Sequence, residues 1–294
     1  MVHAAAISSA VQEPASASRY MVAGRRLIRH RGGMCGLAVI LLLIICATFA
    51  PWLAPHDPTE IDYHAMSAAP SWTYPLGTDE IGRDVLSRLI YGTRVSLMIV
   101  FVSIVLSLFI GGMIGLASGY VGGRTDNVLM RVMDGLLAFP LLVLALGVIA
   151  VLGPDLINAI IALAVVNIPG FARLVRGQVL SVRERDFVQA ARATGANHLR
   201  IMVIHIWPSV AGNVIVYASL RASAVLITES SLAFLGLGAT PPDPTWGQML
   251  ATSMEYWSAW WMSIFPGLAI FFAALAFNFF GDGLRDALDV RLKG

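Results

Sequence analysis

The sequence predicts an all-α membrane protein with six transmembrane helices and both termini on the cytoplasmic side, and three observations predict it. Of 294 residues 57% are hydrophobic and only 13% charged, against about a quarter charged in a soluble domain, and the mean hydropathy is +0.74. The charges are also unevenly spread. Intervals without Asp, Glu, Lys or Arg cover 32–56, 95–123, 135–154, 156–172, 201–220 and 256–281, and each can hold the roughly 20 apolar residues of a spanning helix. Finally, runs such as 41–46 and 271–280 show no period of two, unlike the alternation of a barrel strand. This composition excludes an ordinary soluble enzyme.

Basic residues concentrate on the cytoplasmic face of membrane proteins, which orients the spans. Arg19, Arg25, Arg26, Arg29 and Arg31 precede the first span, Arg124 and Arg131 fall in the second loop, and Arg173, Arg176, Arg183, Arg185, Arg192 and Arg200 in the fourth. Arg285, Arg291 and Lys293 follow the last span. The outer loops hold Arg83, Arg88 and Arg94 among nine acids. Six crossings from an inside N-terminus return the C-terminus inside, in agreement with these positions.

Taken in order, residues 1–24 form a cytoplasmic tail whose Ala- and Ser-rich start predicts disorder. Residues 25–56 comprise a basic flank and the first span, too long for the core of a cleaved signal and read as a retained anchor. Cys35 and Cys46 within it stand about 16 Å apart on an ideal helix, beyond disulfide reach. The extracytoplasmic segment 57–92 carries turn-forming Gly77 and Gly82, capping candidates Thr78 and Asp79, and helix-compatible residues over 84–91. A small structured cap is expected there.

The core, 93–281, contains five spans. Gly111, Gly112 and Gly115 in the second allow close helix contact. Pro140 in the third and Pro169 in the fourth predict kinks. Asn158, Asn167, Asn213 and Asn278 are candidates for interhelical hydrogen bonds. Asp134, three residues after Arg131, is expected to pair with it. In the fifth span Arg221 and Glu229 are charges at membrane depth, which are expensive and often functional. Eight residues apart, they share a face but are too distant to pair. Arg221, Glu229 and Asp134 are therefore candidates for a translocation pathway or gate, with structural pairing as the alternative. A cytoplasmic tail, 282–294, completes the chain.

The loop 173–208 is the most informative. Residues 187–194 compose a short helix, Gly195 supplies a left-handed stop, Asn197 can cap a second helix and Pro208 can mark the start of the fifth span. The expected product is helix, sharp turn, helix on the cytoplasmic face, tied mechanically to a span and offering small residues to a partner. The chain has no phosphate-binding Gly-rich loop ending in Lys and Ser or Thr, its single lysine being Lys293. Nor does it contain a Gly-x-Ser-x-Gly elbow or a His-Glu-x-x-His helix. Any ATP must be consumed by another subunit.

Gln189, Ala190, Ala191, Gly195 and Pro208 resemble the EAA loop of ABC-type importer permeases, with Gln189 in place of the usual Glu and Trp207 in place of the usual Leu before Pro. Residues 75–97, with their LGTD and GRD runs, together with 130–140, 229–238, 246–248 and 281–292, resemble the OppC and DppC type of permease. The resemblance implies a type I ABC importer fold and a full importer in the bacterial cytoplasmic membrane. This chain would form the pore with a second, OppB- or DppB-like permease. Two ATPase subunits beneath would bind ATP and Mg, and an external substrate-binding protein would deliver substrate. No cofactor in this chain and no nucleic acid is implied. Phe187, Gln189, Ala190, Ala191, Gly195 and Pro208 would belong to the coupling helix that an ATPase grips. Substrates of such permeases are usually di- or oligopeptides, with nickel complexes or other small solutes as variants. An ion-coupled secondary transporter would instead predict inverted repeats, and none is evident.

Overall fold

The uncharged intervals become helices in the computed structural model, which describes residues 24–238 and 242–288. Residues 1–23 of the tail expected over 1–24 and the end of the C-terminal tail, with Arg291 and Lys293, lie outside the described residues. No strand occurs among the described residues, where extended pairing is limited to an isolated bridge between Thr78 and Asp84.

Helix α1, Arg31–Thr48, begins at His30, whose ring nitrogen accepts a hydrogen bond from the Gly33 amide at 2.8 Å. Helix α2, Val85–Val121, has 37 residues and extends about 55 Å at 1.5 Å per residue, well beyond a bilayer core of about 30 Å. It starts ten residues before the uncharged interval because Asp84 caps it, accepting from the Ser87 amide at 2.9 Å. The expected caps are engaged elsewhere. Thr78 Oγ1 donates to the Ala65 carbonyl and accepts from the Ala68 amide, and Asp79 accepts from Arg83 Nε at 2.6 Å. The division expected between 92 and 93 therefore falls inside one helix.

Helix α3, Gly123–Leu137, forms in the stretch expected to be the second loop, whereas helix α4, Leu141–Leu152, lies within the third interval; the two meet at 94°. Pro140 lacks an amide hydrogen and disfavours helical geometry at Phe139, so the expected kink is a complete break. Among the described residues five helices are individually long and apolar enough to cross a membrane, or six if this bent pair is one span. Helix α5, Leu156–Val182, runs through Pro169 and past Arg173 and Arg176, taking its last turns from the region expected to be loop. Helix α6 is Asp186–Ala193. Helix α7, Trp207–Phe234, follows without a gap on the turn His198–Arg200 and a π-helical turn Ile201–Ile206. Helices α8, Trp246–Ser253, and α9, Trp261–Leu288, complete the bundle.

Close packing of α2 on α5 forms its centre. A Cβ at Gly115 would lie 2.5 Å from the Ala172 carbonyl oxygen, and one at Gly111 2.6 Å from that of Ile168. Glycine at both places lets the backbones meet. Ser107 Oγ then donates to the Ala164 carbonyl at 3.0 Å and Ser103 Oγ to that of Ile160 at 3.3 Å. Buried Ile99, Leu163, Phe171, Val175 and Val179 fill the seam. Asn213 Nδ2 donates to Gln178 Oε1 on α5 at 2.9 Å, and Asn278 Nδ2 on α9 donates to Ser223 Oγ on α7 at 3.1 Å. Asn158 closes the α4–α5 connection through the Leu152 and Gly153 carbonyls. Asn167 departs from expectation: its amide donates to Leu163 of its own helix.

Residues 54–84 fold over one end of the bundle. Trp261 Nε1 donates to the Thr78 carbonyl at 3.0 Å, and Arg88, only 4% exposed, places Nε 3.4 Å from Asp79 Oδ2 and donates to the Pro58 carbonyl. Glu80 Oε1 accepts from Arg83 Nη2 at 2.9 Å, while burial, followed by the neighbouring Asp79 charge, raises the Glu80 carboxyl above its ordinary range. This is the structured cap that the turn signals predicted.

Candidate functional site

At the end of the bundle opposite the cap, α5 passes into α6 and α6 into the root of α7. Asp186 in the first turn and Arg192 in the last turn of α6 both complement the helix dipole. Gly195, at φ +79°, ends the helix. The Ala196 amide donates to the Ala191 carbonyl at 3.1 Å and the Gly195 amide to that of Arg192 at 3.0 Å, which satisfies carbonyls a helix end would leave open. Asn197 Oδ1 then accepts from the Arg200 amide at 2.7 Å, starting the next turn as expected.

Only one side of α6 is held. Val188 and Ala191 are buried, while Phe187, Gln189 and Ala190 are exposed, as is Gly195 beyond the helix. The Arg192 guanidinium lies 5.2 Å from the Tyr120 ring centroid, and the Tyr120 hydroxyl is 2.9 Å from His198 Nδ1. The turn is thereby locked to the end of α2. Gln189 reaches back to the Arg183 carbonyl at 3.5 Å, a contact at the limit of a hydrogen bond. Pro208 is exposed in the first turn of α7, and the Trp207 ring beside it would meet a Cβ at Gly112 at 3.6 Å.

The base is braced by charge. Arg176 Nε and Nη2 donate to Asp126 Oδ1 and Oδ2 at 2.5 and 2.7 Å, and Ser118 Oγ donates to the same carboxylate. One bidentate pair thus joins α2, α3 and α5. Arg183 Nη1 donates to the Gly119 carbonyl at 2.8 Å. Sequence reasoning missed these contacts. Tyr120 and His198 are 78 residues apart, and Arg176 and Asp126 are 50 apart, with no local spacing to announce them.

The three membrane charges part company. Asp134 pairs with Arg173 on α5 at 2.5 Å, not with Arg131; the approach of α5 supplies the nearer cation. Glu229 is 2% exposed, with Ser230 Oγ donating to one oxygen at 3.3 Å and the other oxygen without a hydrogen-bond partner. It is enclosed by this chain's own helices. Arg221 Nε donates to the Tyr217 hydroxyl at 2.8 Å, and its guanidinium borders a cavity of about 70 Å³ beneath the α3–α4 bend. Arg221 and Glu229 therefore do not share one environment.

Apolar helices of spanning length, an exposed small-residue turn rooted in two of them and charges braced beneath define a multi-pass membrane protein. Residues 107–294 match the binding-protein-dependent transport system inner membrane component family, and residues 18–70 match the N-terminal TM domain of oligopeptide transport permease C. The chain belongs to the binding-protein-dependent transport system inner membrane component family. It is 46% identical to the di/tripeptide transport system permease protein DppC of Pseudomonas aeruginosa, over 90% of this chain and 89% of that one. It is 43% identical to the dipeptide transport system permease protein DppC of Haemophilus influenzae, over 90% and 92% respectively. Its fold is similar to a chain of the MetNI methionine ABC transporter in inward-facing conformations, with a TM-score of 0.57 and 18% identity over 68% of this chain and 96% of that one.

Proposed function

We propose that this chain is one of two pore-forming subunits of an ATP-driven peptide importer, and that α6 with Gly195 is its coupling element. The observation that carries the proposal is the two-sided character of α6: Val188 and Ala191 anchor it to the bundle, while Phe187, Gln189 and Ala190 stand free for a partner. Its two ends continue into α5 and the root of α7, so a push on it is transmitted to spanning helices as a rigid-body motion.

In this reading the α6 end of the bundle faces the cytoplasm, where Arg173, Arg176, Arg183, Arg185, Arg192 and Arg200 cluster. Both termini are cytoplasmic, the bent α3–α4 pair counts as one span of six, and the bacterial plasma membrane is the location. Two ATPase subunits hold ATP and Mg beneath the permease pair, and an external binding protein delivers substrate near the 54–84 cap. The substrate class follows from the relatives' names, which specify dipeptide and di/tripeptide transport.

Two measurements test it. An ATPase should co-purify with the chain. Gly195→Val, which forces a β-branched residue to positive φ at a cost of about 1–3 kcal/mol, should separate ATP hydrolysis from peptide uptake. Uptake that survives with inactive ATPases and collapses with the proton gradient would refute the reading, and uptake of nickel without peptide would refute the substrate.

A further inference from the structure

Arg221 occupies the middle of α7, about 20 Å along the helix from Pro208. A guanidinium at this depth requires acceptors, and this one has few. Nε is satisfied by Tyr217 Oη, and the guanidinium carbon lies 5.1 Å from the centroid of the same ring. Among the described residues no carboxylate pairs with it and its terminal nitrogens find no hydrogen-bond acceptor.

The arrangement is held in place rather than loose. The Tyr217 ring stands edge-on to Phe171, 5.0 Å between centroids at 87°. Its hydroxyl occupies the place a Cβ at Gly170 would need, and that Cβ would also stand 3.6 Å from Arg221 Nη2. Gly170 and Tyr217 therefore aim the fork. It faces the cavity of about 70 Å³ bounded by Asn167 and Gly170 of α5 and by Leu136, Leu141 and Leu144 from both halves of the broken span. The space suits a carboxylate group and excludes a whole dipeptide. Apolar walls strengthen attraction to an anion by keeping the dielectric low.

We propose that the outward nitrogens of Arg221 bind the terminal carboxylate of the transported peptide at the elbow of the broken span. This rests on the peptide reading above and deepens it. Peptides differ in every side chain but share this carboxylate, so a fixed cation in the path recognises the class and not the sequence. Tyr217 and Gly170 act as positioning residues.

The test uses the complete importer with its binding protein in proteoliposomes, measuring ATP-driven uptake of dialanine and of dialanine amide. Wild type and variants receive substrate from the same binding protein, so its own preference cancels when their acid-to-amide ratios are compared. Loss of a charge-assisted hydrogen bond predicts that Arg221→Gln lowers the ratio about tenfold or more, with amide uptake unchanged. Tyr217→Phe, which keeps the charge but frees Nε, should lower it partly, and this second variant decides the matter if Arg221→Gln fails to assemble. Equal loss of acid and amide uptake, an unchanged ratio, or loss of the second permease from purified Arg221→Gln complexes would overturn the proposal; the last would assign Arg221 to an acid across the subunit boundary. A wild-type importer that moves neither compound would refute the peptide reading itself, a result distinguishable from failure of this site.

Discussion

Gly115→Ala adds one carbon at the closest approach of α2 to α5. The new Cβ would stand 2.5 Å from the Ala172 carbonyl oxygen and 2.7 Å from Val175 Cβ, so the helices must separate by close to 1 Å. Overpacking of this kind costs about 1–3 kcal/mol. Separation also lengthens the Ser103 and Ser107 hydrogen bonds to α5, which within a membrane contribute about 0.6 kcal/mol each. Gly177→Ala on α5 is the matched control, because nothing lies within 4 Å of its added Cβ. The helix-propensity gain of about 1 kcal/mol applies to both and cancels in the difference. Gly115→Ala should therefore be less stable than Gly177→Ala by about 2–4 kcal/mol. Heating the detergent-purified proteins and following the monodisperse fraction by size-exclusion chromatography reads this difference. Equal stability of the two, or greater loss from Gly177→Ala, would refute the proposed tight α2–α5 seam.

Three further outcomes follow from the charges. Asp126→Asn breaks a bidentate pair and a serine hydrogen bond at once and should cost about 1–3 kcal/mol, whereas Asp134→Asn breaks a pair whose partners are both about half exposed and should cost under about 1 kcal/mol. Thermal stability compares them directly, and the reverse order would show that the brace is misassigned. Arg176→Lys should approach the Asp126→Asn loss, since an ammonium cannot reproduce the two-point contact. Glu80 has a raised pKa when folded, so the folded state binds its proton more tightly than the unfolded state and the ionised form subtracts stability above that pKa. Glu80→Gln, which keeps an acceptor for Arg83, should be more stable than wild type at neutral pH. The gap should close as pH falls toward the ordinary value of 4.5, and a gap that widens on acidification would contradict the assigned cause.

What the sequence disclosed about the fold was local. Gly195 and Asn197 take the turn and cap roles their side chains favour, and Gly111 and Gly115 mark the seam that small residues permit. The lengths of helices were less legible, because a charge ends an uncharged interval without ending a helix. Arg88 sits inside α2 because the 54–84 segment supplies it with Asp79 and the Pro58 carbonyl. Arg173 and Arg176 prolong α5 because α3 offers Asp134 and Asp126. The same long-range approach redirected Asp134 away from Arg131, its neighbour in sequence. Pro140 announced a disturbance, yet its 94° size depends on how α4 docks against α5. Glu229 looked like a pathway residue by depth, and only the packing of α7 reveals that its carboxyl is enclosed.

The most direct measurement is the number of peptides imported per ATP hydrolysed by the reconstituted importer carrying Ala190→Trp. Ala190 is exposed on the free side of α6, so the change should alter stability by no more than about 0.5 kcal/mol while blocking the surface a partner must grip. If α6 transmits the power stroke, the folded and assembled variant should lose ATP-driven uptake. Undiminished uptake per ATP with a tryptophan at that position would contradict the coupling role.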